Sequence, residues 1–248
     1  MKAQDAARDD AGRDPFTAVV VLSGGMDSTT LLAHFAALRF RLVAVTVEYG
    51  QRHRKEIDSA RRIAQHYCAE HHVLELAGFG ALLTGVALTD DQVAVPDGHF
   101  AEEAMRATVV PNRNAVLANL AASVAVARRA DLVALGMHAG DHFVYPDCRP
   151  AFVDALRHLV AVANEGFAAP RIEAPFMTWS KADIARHGVR LGAPLELSWS
   201  CYKGGDIHCG TCGTCYERRE AFRKADLFDP TEYLDGVTRF AAPDRTPA

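Results

Sequence analysis

Residues 18–30 read AVVVLSGGMDSTT, and this stretch decides the fold. Positions 18–22 are a short, wholly apolar run ending at turn residues, the pattern of a strand buried on both faces of a parallel sheet. Ser23–Ser28 (SGGMDS) makes the turn, and 29–38 reads as a helix. Two glycines in such a turn let backbone N–H groups approach an anion, which the positive end of the helix dipole favours. Ser23, Ser28 and Thr29 add hydroxyl donors. No lysine follows Gly25, so the common P-loop pattern is absent. The carboxylate of Asp27 would repel a phosphate unless a divalent cation or a polar ligand edge faces it. A Gly-rich turn capped by Ser and Asp, with no ligand, stays open as the alternative.

Outward from this stretch, elements alternate. A second buried strand is expected at 41–47, a helix at about 53–67 and a third strand at 72–76. An irregular segment, 78–111, follows, and loops of that length are often functional. Residues 113–129 are Ala/Val/Leu-rich on nearly every face and predict a buried helix. A strand at 131–135, a polar loop at 136–150 and a helix at 151–163 come next. Ser180-Lys-Ala-Asp183 matches a capping box and should open another helix. The alternation implies an α/β fold, a parallel sheet with helices on both faces. Ligands in such sheets bind at the C-terminal strand ends, where 23–28, 48–53 and 136–150 lie.

Composition narrows the function. The 248 residues carry 27 Lys and Arg against 31 Asp and Glu, a net charge of −4 that argues against a nucleic-acid-coating domain. The most apolar stretch, 115–127, is interrupted by Asn119 and Ser123 and falls short of the ~20 residues a membrane span needs. Residues 1–15 are polar, lack the apolar core of a secretory signal, and read as a disordered tail. A soluble, cytoplasmic protein is expected.

Four of the six cysteines fall at Cys201, Cys209, Cys212 and Cys215. Two-residue spacers point thiolates at one metal, and four thiolates fill a tetrahedral structural zinc site. Redox cysteines or an iron–sulfur cluster are the other readings, and His208 is not needed as a ligand. Cys68 is expected as a buried small residue on a helix. Cys148 is either reactive or an idle loop thiol.

The AVVVLSGGMDSTT stretch resembles the pyrophosphate-binding motif of the ATP pyrophosphatases, enzymes that cleave ATP to AMP and pyrophosphate while activating a substrate oxygen as an adenylate. Further segments resemble one branch, the 7-cyano-7-deazaguanine synthases of queuosine precursor synthesis. They are EYGQRHRKEI (48–57), VPNRN (110–114), YPDCRPAF (145–152), SKADI (180–184), SWSCYKGG (198–205) and CGTCGTCYERREAF (209–222). The resemblance runs collinearly over roughly residues 17–235.

The resemblance implies that 7-carboxy-7-deazaguanine is adenylated, aminated by free ammonia to an amide, and adenylated again to leave the nitrile. Two ATP would be consumed per turnover. It also implies an ATP pyrophosphatase domain at 16–195, a zinc-binding segment with a terminal helix at 196–235, a tail at 236–248, and a homodimer. On this basis Leu22, Ser23, Gly24, Gly25, Met26, Asp27, Ser28 and Thr29 would hold ATP and its Mg²⁺, with Val45 beside the adenosine. Asp27, Lys181 and Arg113 would be the catalytic set. Lys181 either reaches a phosphate or is a solvated lysine at a helix start; Arg113 must be paired or bind something. Tyr145 would stack on the base or simply pack. Asp147 would meet the base's amidine edge and Arg149 its carboxylate, or the two would pair with each other. Arg52, His53 and Arg54 are either a basic cluster at the site or a solvated face.

Departures from the family pattern are Asn112, where many members carry Gly, and His138 and His142, where others carry Asn and an aromatic residue. Asn tolerates positive φ, so the turn at 112 should survive. Rival readings are a tRNA-modifying enzyme, which needs a basic RNA surface; a glutamine-dependent amidotransferase, which needs a glutaminase; and a non-catalytic nucleotide-binding zinc module. A related adenylating enzyme that stops at the amide, or uses another amine, is the remaining alternative.

Overall fold

In the computed structural model, residues 15–236 are described, apart from 53, 99–104 and 142. The expected tails, His53 and His142 therefore lie outside the described residues, save for residues 15 and 236 at the tail margins.

Five parallel strands form one sheet in the order β3-β2-β1-β4-β5. They are β1 (Thr17–Val21), β2 (Arg41–Glu48), β3 (Glu70–Glu75), β4 (Leu132–Ala134) and β5 (Arg171–Glu173). The helices are α1 (Met26–Ala37), α2 (Lys55–His66), α3 (Ala77–Ala81), α4 (Arg113–Arg128), α5 (Pro150–Ala163), α6 (Lys181–Arg190) and α7 (Gly213–Ala225). Strand side chains alternate between two cores, which is how period-2 geometry covers both sheet faces. Ala18, Val20 and Leu22 pack with Leu31 and Leu32 of α1, Ile63 of α2 and Ile184 of α6. Val19, Val43 and Val133 pack on the other side with Ala118 and Ala121 of α4 and Leu156 of α5. The α/β architecture expected from the sequence is the one observed.

Local signals account for the element ends. Ser180 and Asp183 form the capping box of α6: the Ser180 hydroxyl accepts the Asp183 N–H and the Asp183 carboxylate accepts the Ser180 N–H. Asn112 precedes α4 in the left-handed region, at φ 56°, as its side-chain chemistry permits. Three expectations need correction. Helix α1 begins at Met26, not Thr29, because the Thr29 N–H already closes a turn onto Gly25 O at 3.0 Å. Helix α4 is buried only along Ala118, Ala121, Ala122 and Ala125, a single stripe of small residues, while Ser123 and Ala127 are exposed. Cys68 is exposed, at φ 49° just past α2.

The sheet order reverses between β1 and β4, so the chain leaving these neighbouring strands departs in opposite directions and opens a crevice at their C-terminal ends. The segment carrying the four cysteines closes over that crevice. Trp199 N–H donates to Gly24 O at 2.9 Å, tying it to the turn after β1. Ala87 and Val95, from the segment expected to be irregular, pack against Trp199, Cys201 and Cys212.

Candidate active site

The turn after β1 is built by close approach. Gly24 has φ +88°, and a Cβ there would stand 2.1 Å from Glu56 O, so no other residue fits. The Ser28 and Thr29 hydroxyls donate to Gly25 O at 3.1 and 2.7 Å and Ser23 Oγ lies 3.0 Å from Ser28 Oγ, which locks the loop onto the first turn of α1. Ser23, Gly25, Met26, Asp27 and Ser28 line a cavity over the strand ends. Leu22, Gly24, Thr29 and Val45 stand behind it: Leu22, Thr29 and Val45 are fully buried, and Leu22 N–H donates to Val45 O.

Two groups of side chains face this cavity. In the first, the Lys181 ammonium lies 2.5 Å from Glu217 and 3.4 Å from Asp27 Oδ2. Behind the lining residues, the fully buried His138 places Nε2 3.4 Å from Asp141 and 3.7 Å from Asp27. Its Nδ1 accepts the Gly140 N–H at 3.1 Å, which assigns the ring hydrogen to Nε2. Asp27 Oδ1 is buried, and no donor among the described residues reaches it. Burial works against the Lys181 charge, but Asp27, Glu217 and Asp141 outweigh it and hold the amine well above the ordinary lysine range. Burial raises the Glu217 carboxyl, against the pull of Lys181.

The second group surrounds Arg113, at the start of α4. Burial works against its charge, yet the guanidinium stays protonated as arginine does, in contact with Tyr49 and with Tyr202 and Tyr145 around it. Burial raises all three phenols above their ordinary value, so they stand as neutral hydroxyls. Burial also pushes the Glu56 carboxyl up to about 7, with Arg113 drawing it partly back. Tyr145 packs as well as facing the cavity, its hydroxyl 3.0 Å from Thr108 Oγ1. Cys148 lines the same wall, its thiol pushed up by burial and so held protonated.

Asp27, Lys181 and Arg113, expected as a set, do share the cavity. Asp147 and Arg149 are not among its lining residues: the Asp147 carboxylate accepts the Asn114 N–H at 3.0 Å, and Arg149 is exposed at the start of α5. Arg52 also stands outside, bound to Asp91 and to the carbonyls of Asp90 and Val93, while Arg54 pairs with Glu48. Glu217, Asp141, Glu56, Tyr49 and Tyr202 are site residues that sequence reasoning missed. Glu217 had a visible signal: it lies two residues beyond Cys215, beside a buried stripe of α7 that includes Arg218 and Phe222.

Beside the cavity wall, Cys201, Cys209, Cys212 and Cys215 bring one ligand atom each within 4.8 Å of one another, a set that could hold a metal ion. Cys209 Sγ and Cys215 Sγ are 3.9 Å apart. A tetrahedron of 2.3 Å zinc–sulfur bonds has edges of about 3.8 Å. Backbone N–H groups of Thr211 and Cys212 point at Cys209 Sγ at 3.4 and 3.3 Å. Hydrogen bonds from Cys201 and Cys215 hold the Cys212 thiol below its ordinary value. His208 accepts the Ser200 N–H through Nε2 and stacks on Trp199, outside the cluster.

No helix among the described residues is long and apolar enough to cross a membrane. The family model described as queuosine biosynthesis protein QueC matches residues 17–226. The chain is 52% identical over 217 residues to the 7-cyano-7-deazaguanine synthase of Allorhizobium ampelinum, covering 88% of this chain and 92% of that one. It is 50% identical over 230 residues to the synthase of Rhizobium johnstonii, covering 90% and 97%. The synthase of Brucella anthropi is 50% identical over 217 residues, covering 88% and 93%. With the glycine turn after β1, the charged cavity and the four-cysteine cluster in one collinear match, the chain belongs to the QueC family of queuosine biosynthesis proteins and is an enzyme of that family.

Proposed function

We propose that the cavity converts 7-carboxy-7-deazaguanine and ammonia to 7-cyano-7-deazaguanine at the expense of two ATP. The observation that carries this reading is the pair of groups in one cavity, a phosphate-loop turn with Asp27 and Lys181 next to an arginine ringed by tyrosines. The substrate carboxylate attacks the ATP α-phosphorus and pyrophosphate leaves. Ammonia then attacks the acyl carbon, AMP leaves with one former carboxylate oxygen, and the nitrogen loses a proton to give the amide. The amide oxygen attacks a second ATP in the same way. Loss of AMP, with the remaining amide protons, leaves the nitrile. The protein's task is to position these partners and to neutralise charge on the pentavalent phosphorus.

The turn N–H groups and Lys181 face the phosphates. Three carboxylates around one ammonium leave the first group negative, and the buried Asp27 Oδ1 is an acceptor with nothing to accept from. Both features fit Mg²⁺, which Asp27 would hold with Asp141 beside it, and which supplies charge neutralisation for the leaving pyrophosphate. We assign the substrate carboxylate to Arg113 rather than Arg149, because Arg113 lines the cavity. The flat faces of Tyr49, Tyr145 and Tyr202 suit a planar base. Asp147 serves to hold its turn against α4. The four cysteines suit a structural zinc, and Cys212→Ser is expected to lower zinc content and stability together.

The test is one incubation of the protein with 7-carboxy-7-deazaguanine, ATP, Mg²⁺ and ammonium, read by mass spectrometry. A nitrile with two AMP per molecule supports the reading. An amide with one AMP moves the chain to an enzyme that stops halfway, and no substrate-dependent AMP overturns the assignment.

A further inference from the structure

Lys181 is a long, flexible side chain at the first residue of α6, and its backbone is fixed by the capping box. That leaves open what fixes its ammonium. Asp27 Oδ2, at 3.4 Å, lies beyond good hydrogen-bond length, whereas Glu217 Oε2 accepts from Nζ at 2.5 Å. The short, directional contact is therefore with a residue of α7, the helix that leaves the four-cysteine cluster. We propose that Glu217 is a positioning residue, holding the Lys181 ammonium against Asp27 at the phosphate-loop turn; this rests on the reading of that turn as the ATP site.

The support for Glu217 is rigid. Helix α7 starts at the cluster, with Cys212 as its N-cap and Cys215 in its first turn. One turn on, the fully buried Arg218 binds Asp229, Ser198 Oγ and Leu195 O, which fixes the helix next to Glu217. Helices α6 and α7 are also clamped along their length: Ala182 and Ala185 pack on Ala221 and Phe222, and Arg186 donates to Lys224 O at 2.6 Å. The Glu217–Lys181 pair stands near the N-terminal ends of both helices, where they meet the cavity. The helix pair is held together without it, so its contribution falls on the location of one ammonium group.

Glu217 also lies with His138 and Asp141 in a set whose ligand atoms fall within 4.8 Å of one another. His138 Nε2 approaches Asp141 at 3.4 Å without a hydrogen bond among the described residues, whereas Lys181 makes a direct contact with Glu217. The ammonium is thus the cation that Glu217 meets directly. In consequence, the cysteine segment reaches the Lys181 group through Glu217, two positions beyond Cys215.

A double-mutant cycle of Glu217→Gln and Lys181→Met tests this, because a residue acting through another loses its effect when that other is removed. Two readouts are taken on each variant: affinity for Mg²⁺ with a non-hydrolysable ATP analogue by calorimetry, and substrate-dependent AMP formation resolved into kcat and KM. Zinc content and melting temperature are followed alongside. Glu217→Gln is expected to lower kcat about tenfold to a hundredfold, as a misplaced catalytic group does. Its KM for the carboxylate substrate should stay within about threefold, with zinc and melting temperature unchanged, and Glu217→Ala, which keeps no acceptor, should lose more. In the Lys181→Met background the substitution should change nothing. An undiminished effect in that background, a parallel loss of zinc and melting temperature, or wild-type kcat each overturns the proposal. Should the wild type make no AMP, the functional reading fails, and the affinity cycle still decides. An affinity change of about threefold or more that needs Lys181 upholds the positioning role, and no such coupling removes it.

Discussion

Around Lys181 the cavity gathers the carboxylates of Asp27, Asp141 and Glu217, whereas around Arg113 it gathers the hydroxyls of Tyr49, Tyr145 and Tyr202. Both cations are half-buried and charged, in opposite surroundings. Lys181 is outnumbered by anions, so its surroundings repel a triphosphate unless a divalent cation arrives with it. Arg113 is surrounded mainly by neutral phenols, so most of its charge is available to an incoming carboxylate. Glu56 is the exception in this second group, and its carboxyl gives way by moving up to about 7. Under the proposed function, the difference divides the work, with nucleotide on one side and acceptor on the other.

The largest expected effect comes from breaking the charged group. Asp27→Ala should lower AMP formation by about a thousandfold or more, while zinc content and melting temperature hold. An active variant would remove Asp27 from the chemistry. Next, Glu56→Gln sharpens the account of the aromatic group. Because the folded-state value lies above the ordinary 4.5, ionising Glu56 costs stability; the cost is absent below about pH 4.5 and complete above about pH 7. The variant should therefore gain roughly 3 kcal/mol in urea unfolding at pH 8 and nothing at pH 4. An equal change at both pH values would show that packing, not charge, is at issue.

Much of this was written locally in the chain. The apolar run before SGGMDS, the Ser180–Asp183 capping box, Asn112 in its left-handed turn and the cysteine spacing are each decided within a few residues, and each is found where expected. What was not legible is convergence. Glu217, His138 and Asp141 meet Lys181 only because α7 packs on α6 and the turn after β4 lies beside the turn after β1. Helix α4 misled for a related reason: its Val and Leu positions look buried, but the tightest packing follows its alanines. The 145–149 turn likewise offered charged residues, and the chain used Asp147 to hold α4 instead.

Smaller effects probe the acceptor side further. Arg113→Gln should raise the KM for the carboxylate substrate about tenfold to a hundredfold and leave ATP-analogue affinity alone, since only the charge-assisted pair is lost. A matching loss of nucleotide affinity would collapse the two groups into one. Tyr145→Phe removes the bond to Thr108 and should cost about 1 kcal/mol in thermal unfolding. A change well above that would mean the hydroxyl supports more than Thr108.

In the proposed reaction both oxygens of the substrate carboxylate leave on phosphorus. Turnover of 7-carboxy-7-deazaguanine labelled with ¹⁸O in the carboxylate, followed by mass spectrometry of the nucleotides, tests it most directly. The account predicts one ¹⁸O in each of the two AMP molecules formed per nitrile and none in pyrophosphate. Label in pyrophosphate or in water, with unlabelled AMP, would contradict it.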